Sequence, residues 1–395
     1  MRRLLILLYA LIFVDEVVLV SLVPLLPSYR DAFSLSGFES GVALSAASLA
    51  IVAGAIPGGV AGDRLGHRRV TLAAGLLLTA SCLGQGLAVG LWTLVAARLA
   101  FGVASAVIWS AGLSWLSDSA GEDRPGAVGA VIAVAGLGGM VGPVFAGVLA
   151  DRVSRGAPFL ILAAVALGLV VALAFADHGS EGRHEQQLRL SAALDLARRN
   201  PLIAGAVTLM LLGGFSDGVV FLVAPAQLSD AGRSTATIGL ILSIGSAVFI
   251  GCSALAARTG RWTVTLVAGA ICTALSALVL LPVLGTSTSA VVAGMLILRA
   301  APLGFMYAVA LPLGVRGARN AGIGVGAVNG MTAFAWGAAS FGGAIVAGAG
   351  LDRPGPSAVY GFLTACCLAA TAYLLALRRR WAVAKAPGRG ADYRT

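Results

Sequence analysis

The chain has 395 residues, of which 58% are hydrophobic and 11% charged, and its mean hydropathy is +0.94. An ordinary soluble domain is about 45–50% apolar and about 25% charged, so this composition excludes a water-soluble enzyme, a secreted disulfide scaffold and a disordered chain. The net charge of +10 comes from 27 basic and 17 acidic residues. The basic residues form short clusters between long apolar runs, which is typical of topology signals in a membrane protein and not of a nucleic-acid-binding face.

The apolar runs predict an all-α integral membrane protein with twelve transmembrane helices, because one such helix needs about 20 mainly apolar residues. The third and fourth spans share one run without charges, so the boundary between them is the least defined. In chain order, the predicted spans cover residues 4–29, 40–62, 70–89, 92–116, 125–150, 156–176, 201–228, 235–257, 262–283, 288–312, 320–349 and 356–377.

A long hydrophilic stretch divides the chain into two similar halves. We predict an N-terminal six-helix lobe at 1–176, an inter-lobe loop at 177–200, a C-terminal six-helix lobe at 201–377 and a basic tail at 378–395. Parallel six-helix repeats predict a transporter whose site lies between the lobes, near the middle of the bilayer. Four pairs of segments match in order: Asp15 with Asp217, Leu65-Gly66-His67 with Thr259-Gly260-Arg261, Arg98 with Arg299, and Asp151 with Asp352.

The distribution of basic residues predicts the orientation. If the N terminus is cytoplasmic, the inner loops and tails hold 20 basic residues and the outer loops hold 5, with Arg98 and Arg299 inside spans. Cytoplasmic segments carry the excess of Lys and Arg in membrane proteins. We therefore expect a multi-pass protein of the cell membrane with both termini and the 177–200 loop in the cytoplasm.

The loop between the second and third spans contains a charged, glycine-rich motif with Gly59, Asp63, Arg64, Gly66 and Arg68. Glycines allow a tight turn and a close approach of helices, and a carboxylate can face a helix N terminus. A basic membrane anchor would explain the arginines, but neither Asp63 nor the glycine spacing. The motif resembles the signature loop of the major facilitator superfamily, Gly-x-x-x-Asp-Arg-x-Gly-x-Arg.

That resemblance implies two six-helix lobes that rock to expose a central site to either side of the membrane. In the superfamily, the signature-loop Asp contacts the N terminus of span eleven and stabilises the outward-facing state. Here the resemblance implies that Asp63 meets the helix beginning near Asn320, and that Arg64 or Arg68 pairs with Asp118.

Two further motifs resemble superfamily patterns. Arg98 and Gly102 in span four resemble its Arg-x-x-x-Gly pattern, although an Arg near a helix end can also extend outward to water. Span five contains Gly138, Gly142, Pro143 and Gly147, similar to the Gly-x-x-x-Gly-Pro-x-x-x-Gly motif of proton-coupled exporters. A seam of small residues that only packs helices is the alternative interpretation.

Span one carries two adjacent carboxylates, Asp15 and Glu16, followed by Pro24 and Pro27, and it resembles the first helix of drug and monoamine proton antiporters. Intramembrane acids are costly and usually functional. Adjacent residues diverge by about 100° on a helix, and the match with Asp217 favours Asp15 as the proton site. Glu16 replaces it if the helix is rotated, and a structural salt bridge from Asp15 to Arg98 is the alternative.

The function expected from these features is proton-coupled efflux of small hydrophobic or aromatic compounds. We expect the protein to function as a monomer whose partners are a small-molecule substrate and protons. The alternative is a facilitator or importer of a sugar or other polar metabolite. No enzyme, metal or cofactor is predicted, because the three histidines lie outside the spans and no cysteine spacing indicates a metal site. The residues expected to line the cavity are Trp109, Phe221, Met306, Tyr307 and Trp336.

The orientation can be tested by labelling Gln187, in the predicted inter-lobe loop, after its replacement by cysteine in a variant without the five native cysteines. We expect an impermeant thiol reagent added to intact cells to leave this cysteine unlabelled, because the loop faces the cytoplasm. Labelling after the cells are opened is the control. Rapid labelling from outside would reverse the orientation.

Overall fold

The computed structural model describes residues 2–120, 124–176, 200–258, 265–322 and 325–384, and helices account for nearly all of them. The predicted 177–200 loop, apart from residue 200, and residues 385–395 of the predicted tail lie outside the described part. The helices are α1 Arg2–Phe33, α2 Gly37–Leu65, α3 His67–Gly86, α4 Leu91–Ser119, α5 Arg124–Arg152, α6 Ala157–Ala174, α7 Pro201–Asp230, α8 Thr235–Arg258, α9 Leu266–Gly285, α10 Ser289–Asn320, α11 Val325–Asp352 and α12 Pro356–Ala384.

Eleven of these helices, counted over the described residues, are long and apolar enough to cross a membrane. The helix that does not qualify is α3, which begins with His67, Arg68 and Arg69 and contains Gln85. These polar side chains lower its mean hydropathy, although α3 packs along α4 and α6 within the bundle. The structure therefore has an all-helical membrane fold with eleven candidate spans.

Several helices extend beyond the apolar runs that predicted them. The first helix continues to Phe33, and α12 continues through the three arginines Arg378–Arg380 to Ala384, where the sequence predicted a separate tail. A helix ends where its terminal backbone groups find a cap or water, which need not coincide with the last apolar residue. Capping side chains begin α2, where Ser36 and Glu39 form a reciprocal capping box, and α7, where Asn200 accepts from two backbone amides.

Equivalent helices pack together in the two halves of the chain. The pairs α1–α5, α2–α4 and α3–α6 of the first half correspond to α7–α11, α8–α10 and α9–α12 of the second half. This correspondence is what the repeated segments in the sequence predict. Between the halves, the largest contacts are those of α2 with α11 and of α5 with α8.

The halves approach each other most closely at one end of the molecule, which contains the α1–α2, α5–α6, α7–α8 and α11–α12 turns. We call it the closed end. There Gly37 of α2 lies so close to α11 that a Cβ on it would be 2.7 Å from the carbonyl oxygen of Gly348. Such backbone contact is possible only between residues without bulky side chains.

Towards the other end, which we call the open end, the close contacts between the halves stop. Val52 of α2 lies against Gly337 of α11, and beyond it the residues Ala53, Ala55, Ile56 and Pro57 of α2 are exposed. Gly251 of α8 and Gly330 of α11 likewise face open space, with no atom within 4 Å of where a Cβ would be. The halves thus converge at the closed end and separate towards the open end.

Candidate functional site

Asp15 lies near the middle of α1 and is fully buried against α4. Its Oδ2 accepts a hydrogen bond of 2.9 Å from the Ser105 hydroxyl and one of 3.1 Å from the Trp109 indole nitrogen. Trp109 belongs to a π-helical turn, Ile108–Gly112, inside α4. Such turns redirect side chains and are frequent at functional sites. Among the described residues, Asp15 is therefore held by two neutral donors and by no cation.

The ion pair between Asp15 and Arg98 that the sequence offered as an alternative is not formed. Arg98 is 2% exposed, its guanidinium lies 5.1 Å from the ring centre of Phe101, and its Nε and Nη1 atoms have no hydrogen-bond partner among the described residues. Arg98 precedes Ser105 by seven residues, which separates their backbones by about 10 Å along α4. Both the acid and the base of this half are buried without an opposite charge in contact.

The equivalent residues of the second half are paired. Arg299 of α10 donates to Asp217 of α7 over 2.9 Å and to the Ser216 hydroxyl over 3.0 Å. The Tyr307 hydroxyl donates to the other Asp217 oxygen over 3.3 Å, and the Arg299 guanidinium lies 5.2 Å from the ring centre of Phe221. The repeat predicted from the sequence thus has two different states: one carboxylate is neutralised by its arginine and the other is not.

Glu16, the neighbour of Asp15, occupies another face of α1. It is half-buried, and no described residue forms a hydrogen bond or an ion pair with its side chain. Its Cβ lies close to α5, because a Cβ on Gly138 would be 2.8 Å from it. The two adjacent acids therefore point to different environments, Asp15 into the packed α1–α4 contact and Glu16 along α5.

The span-five motif joins α1 to the second half. A side chain at Gly138 would meet the Phe13 carbonyl oxygen of α1 at 2.8 Å, and one at Gly142 would meet the Val17 carbonyl oxygen at 3.0 Å. On the other side of the motif, the backbone of Pro143 lies against Gly239 of α8, and Gly147 lies against Thr235. Beside the proline, the Val144 amide donates to the Ser243 hydroxyl of α8 over 3.1 Å.

The signature loop forms the tight turn between α2 and α3 at the open end. Gly66 has a φ of 92°, a left-handed conformation that favours glycine. Arg68 donates to the carbonyl oxygen of Ala174 at the end of α6 over 2.6 Å. Arg64 is exposed, and Gly59 is half-buried on α2.

His67, which the sequence placed in a loop, is the first residue of α3 and is 3% exposed. Its Nε2 lies 3.4 Å from Asp63 and its Nδ1 lies 3.8 Å from Asp118. His67 thus lies between the two carboxylates of the predicted charge network, Asp63 and Asp118. The predicted contact of Asp63 falls at the start of α11, where residues 323–324 lie outside the described part.

The sequence of this chain matches the Major Facilitator Superfamily over residues 5–340. The chain belongs to the major facilitator superfamily. It is accordingly a membrane-spanning member of a transporter family whose members are generally not enzymes.

Relatives of known family share shorter segments with this transporter. The MFS-type transporter ppzB of Metarhizium rileyi (strain RCEF 4871) is 28% identical over 207 residues, 50% of this chain and 43% of that protein. The MFS-type transporter ppzB of Metarhizium majus (strain ARSEF 297) is 32% identical over 118 residues, 29% of this chain and 26% of that protein. The matched segments thus span less than half the length of these relatives.

Solved structures show the same fold at low sequence identity. A structure of the nucleoside transporter NupG, a mutant form, has a TM-score of 0.77 and 15% identity, covering 95% of this chain and 99% of that one. A bacterial homologue of the human lysosomal transporter Spinster, inward-facing and occupied, has a TM-score of 0.71 and 14% identity, covering 96% and 95%. Sequence identities this low support a shared fold but give no information about the substrate of this chain.

Sequence reasoning missed Ser105 as a partner of Asp15, and it named Trp109 only as a residue that lines the cavity. Ser105 and Trp109 are four residues apart on one face of α4, a spacing that could have suggested donors for an intramembrane acid. The aromatic residues Phe221 and Tyr307 were predicted to line a cavity, but both contact the Asp217–Arg299 pair. Met306 is 1% exposed within the core.

The two acids should differ in what their neutralisation does to stability. We expect Asp217→Asn to lower the free energy of unfolding by about 3–5 kcal/mol, because it leaves the Arg299 charge buried without a partner. Asp15→Asn, the matched substitution, should cost less than about 1.5 kcal/mol, since an amide oxygen can still accept from Ser105 or Trp109. Thermal unfolding of both variants in the same detergent measures the difference. Equal losses would show that the pairing in the second half adds no stability.

Proposed function

We propose that this transporter exports small hydrophobic or aromatic compounds in exchange for protons, as a member of the drug:proton antiporter branch. Its proposed architecture is twelve spans in two lobes, 1–176 and 201–377, with the 177–200 loop and the 378–395 tail in the cytoplasm. It acts as a monomer in the cell membrane. In this orientation the open end faces the cytoplasm, and the structure corresponds to an inward-facing state.

The observation that carries the proposal is the environment of Asp15. A carboxylate that is buried in the bundle and held only by neutral donors can gain or lose a proton without breaking an ion pair. Its proton affinity depends on hydration, because burial disfavours the charged form. A change of conformation that admits water to α1 and α4 therefore changes proton binding at Asp15. Asp217 is less suited to this role, since it forms an ion pair with Arg299 that loss of its charge would break.

Glu16 supplies the route between Asp15 and the space between the halves. Two adjacent carboxylates in apolar surroundings repel strongly when both are charged, which favours the state in which one of the two is protonated. Glu16 is the more exposed of the two. We assign it the exchange of protons with water and cargo, and Asp15 the retention of the proton during the conformational change.

The span-five motif couples this site to the movement of the halves. The same helix, α5, contacts α1 through Gly138 and Gly142 and contacts α8 through Pro143 and Gly147. A shift of α1 caused by protonation therefore acts directly on a helix that forms the interface with the other half. By linkage, proton binding and cargo binding then bias the same conformational equilibrium.

Vesicles containing the purified transporter test the coupling. With an imposed pH gradient, we expect the native protein to accumulate a lipophilic dye and Asp15→Asn to lose at least 90% of that accumulation, because the proton site is gone. Exchange of dye without a gradient should persist in the variant. Glu16→Gln should also reduce accumulation, and Asp31→Asn, a change of an exposed acid at the closed end, is the control.

Two results would contradict the proposal. If Asp15→Asn concentrates the dye at the native rate, Asp15 is not the coupling residue. If the native protein moves no dye under a pH gradient but equilibrates a sugar or nucleoside, the facilitator alternative is correct.

The signature loop provides a second test. When the open end closes, we propose that Asp63 leaves His67 and meets the N terminus of α11, where a negative charge is favourable. Asp63→Asn should reduce transport about fivefold or more while the amount of protein in the membrane stays constant. Transport and surface quantity are measured together, with Arg69→Gln, another change in the loop, for comparison. Unchanged transport in Asp63→Asn would refute this gating role.

A further inference from the structure

The closed end contains two carboxylates in equivalent places, each of which reaches from one half of the molecule to the other. Asp352, the last residue of α11, accepts hydrogen bonds from the backbone amides of Gly37 over 2.7 Å and Phe38 over 3.1 Å, at the start of α2. Asp151, in the last turn of α5, accepts one from the amide of Ala236 over 2.8 Å, at the start of α8. Asp151 and Asp352 occupy repeat-related positions.

Helices α2 and α8 do not use the amides of Gly37, Phe38 and Ala236 for their own serine caps, so these amides can bind a carboxylate of the other half. The helix's own Ser36 caps α2 by accepting from the third amide, Glu39, and Ser234 caps α8 by accepting from the third amide, Thr237. No intrahelical carbonyl can satisfy the amides before it. Asp352 binds the first two amides of α2, and Asp151 binds the second amide of α8. Each helix N terminus is therefore capped jointly, by a serine of its own half and by a carboxylate of the other half.

We infer that Asp151 and Asp352 form a double latch that sets the equilibrium between this conformation and the one open at the other end. Any separation of the halves at the closed end must break these bonds and withdraw a negative charge from the positive end of a helix dipole. Contacts that stay intact in both conformations cannot bias the equilibrium in this way. The inference is independent of proton coupling and of the cargo.

A third polar contact crosses the closed end and serves for comparison. Arg30 of α1 donates to Asp230 of α7 over 3.0 Å, but the two side chains are 29% and 61% exposed. Exposed ion pairs of this type contribute little. The latch should therefore depend on the two helix-capping carboxylates and hardly on this pair.

Distance measurements between spin labels test the latch without any transport assay. One pair of cysteines replaces Ala32 and Ala231 at the closed end, and a second pair replaces Leu65 and Ala257 at the open end, all four residues being exposed. The labelled protein lacks the native cysteines. In it we expect Asp352→Ala and Asp151→Ala each to increase the fraction of molecules whose halves are apart at the closed end. The ratio of these molecules to those whose halves are together there should rise about five- to tenfold. The double variant should show roughly the product of the two changes, since the sites share no partner.

The matched control is Asp31→Ala, which removes an exposed carboxylate at the same end whose described ion pair is with Arg30 of its own helix. It should leave both distance distributions unchanged, and Asp230→Ala should change the ratio less than twofold. Asp352→Asn, which keeps one acceptor oxygen, should give an intermediate shift and serves if the alanine variant is unstable. Unchanged distributions in both latch variants, or an equal shift in Asp31→Ala, would overturn the inference.

Discussion

An ionised side chain inside a bilayer must find an opposite charge, a set of donors or water, because the free-energy cost of an unpartnered charge there is several kcal/mol. Asp217 meets this requirement with Arg299, Ser216 and Tyr307, whereas Asp15 meets it with Ser105 and Trp109 alone. The rest of the candidate site follows from that difference. The buried acid of the second half is paired with an arginine, whereas the contacts described for Asp15 are with neutral donors.

Small residues allow that difference to influence the whole molecule. Motif glycines bring α5 into backbone contact with α1 on one side and α8 on the other. Between helices in lipid there is little hydrophobic driving force, so close packing and interhelical hydrogen bonds hold the bundle together. A helix in contact with both the proposed proton site and the opposite half provides a short physical route for the proposed coupling.

The two ends of the molecule use the same interaction for opposite purposes in this scheme. At the closed end, carboxylates of one half already cap helix N termini of the other. At the open end, the signature-loop carboxylate lies beside His67 in the same half. Conformations in which these contacts alternate differ by a few hydrogen bonds and helix-dipole interactions, terms of about 0.5–2 kcal/mol each. Small ligand-dependent energies suffice to shift such an equilibrium.

The amino-acid sequence by itself determined the membrane class, the positions of the helices and the family, because long apolar runs and the glycine–charge motifs are local properties of the chain. Its internal repeat also identified Asp15 and Asp217, and likewise Arg98 and Arg299, as residues at equivalent positions of the two halves. Only the tertiary structure decided that one acid is paired and the other is not, that His67 lies between Asp63 and Asp118, and that Asp151 and Asp352 cap helices of the opposite half. These are contacts between residues as many as 315 positions apart. They depend on helix rotation and on a π-helical turn in α4, and neither leaves a signal in hydrophobic periodicity when every face of a helix is apolar.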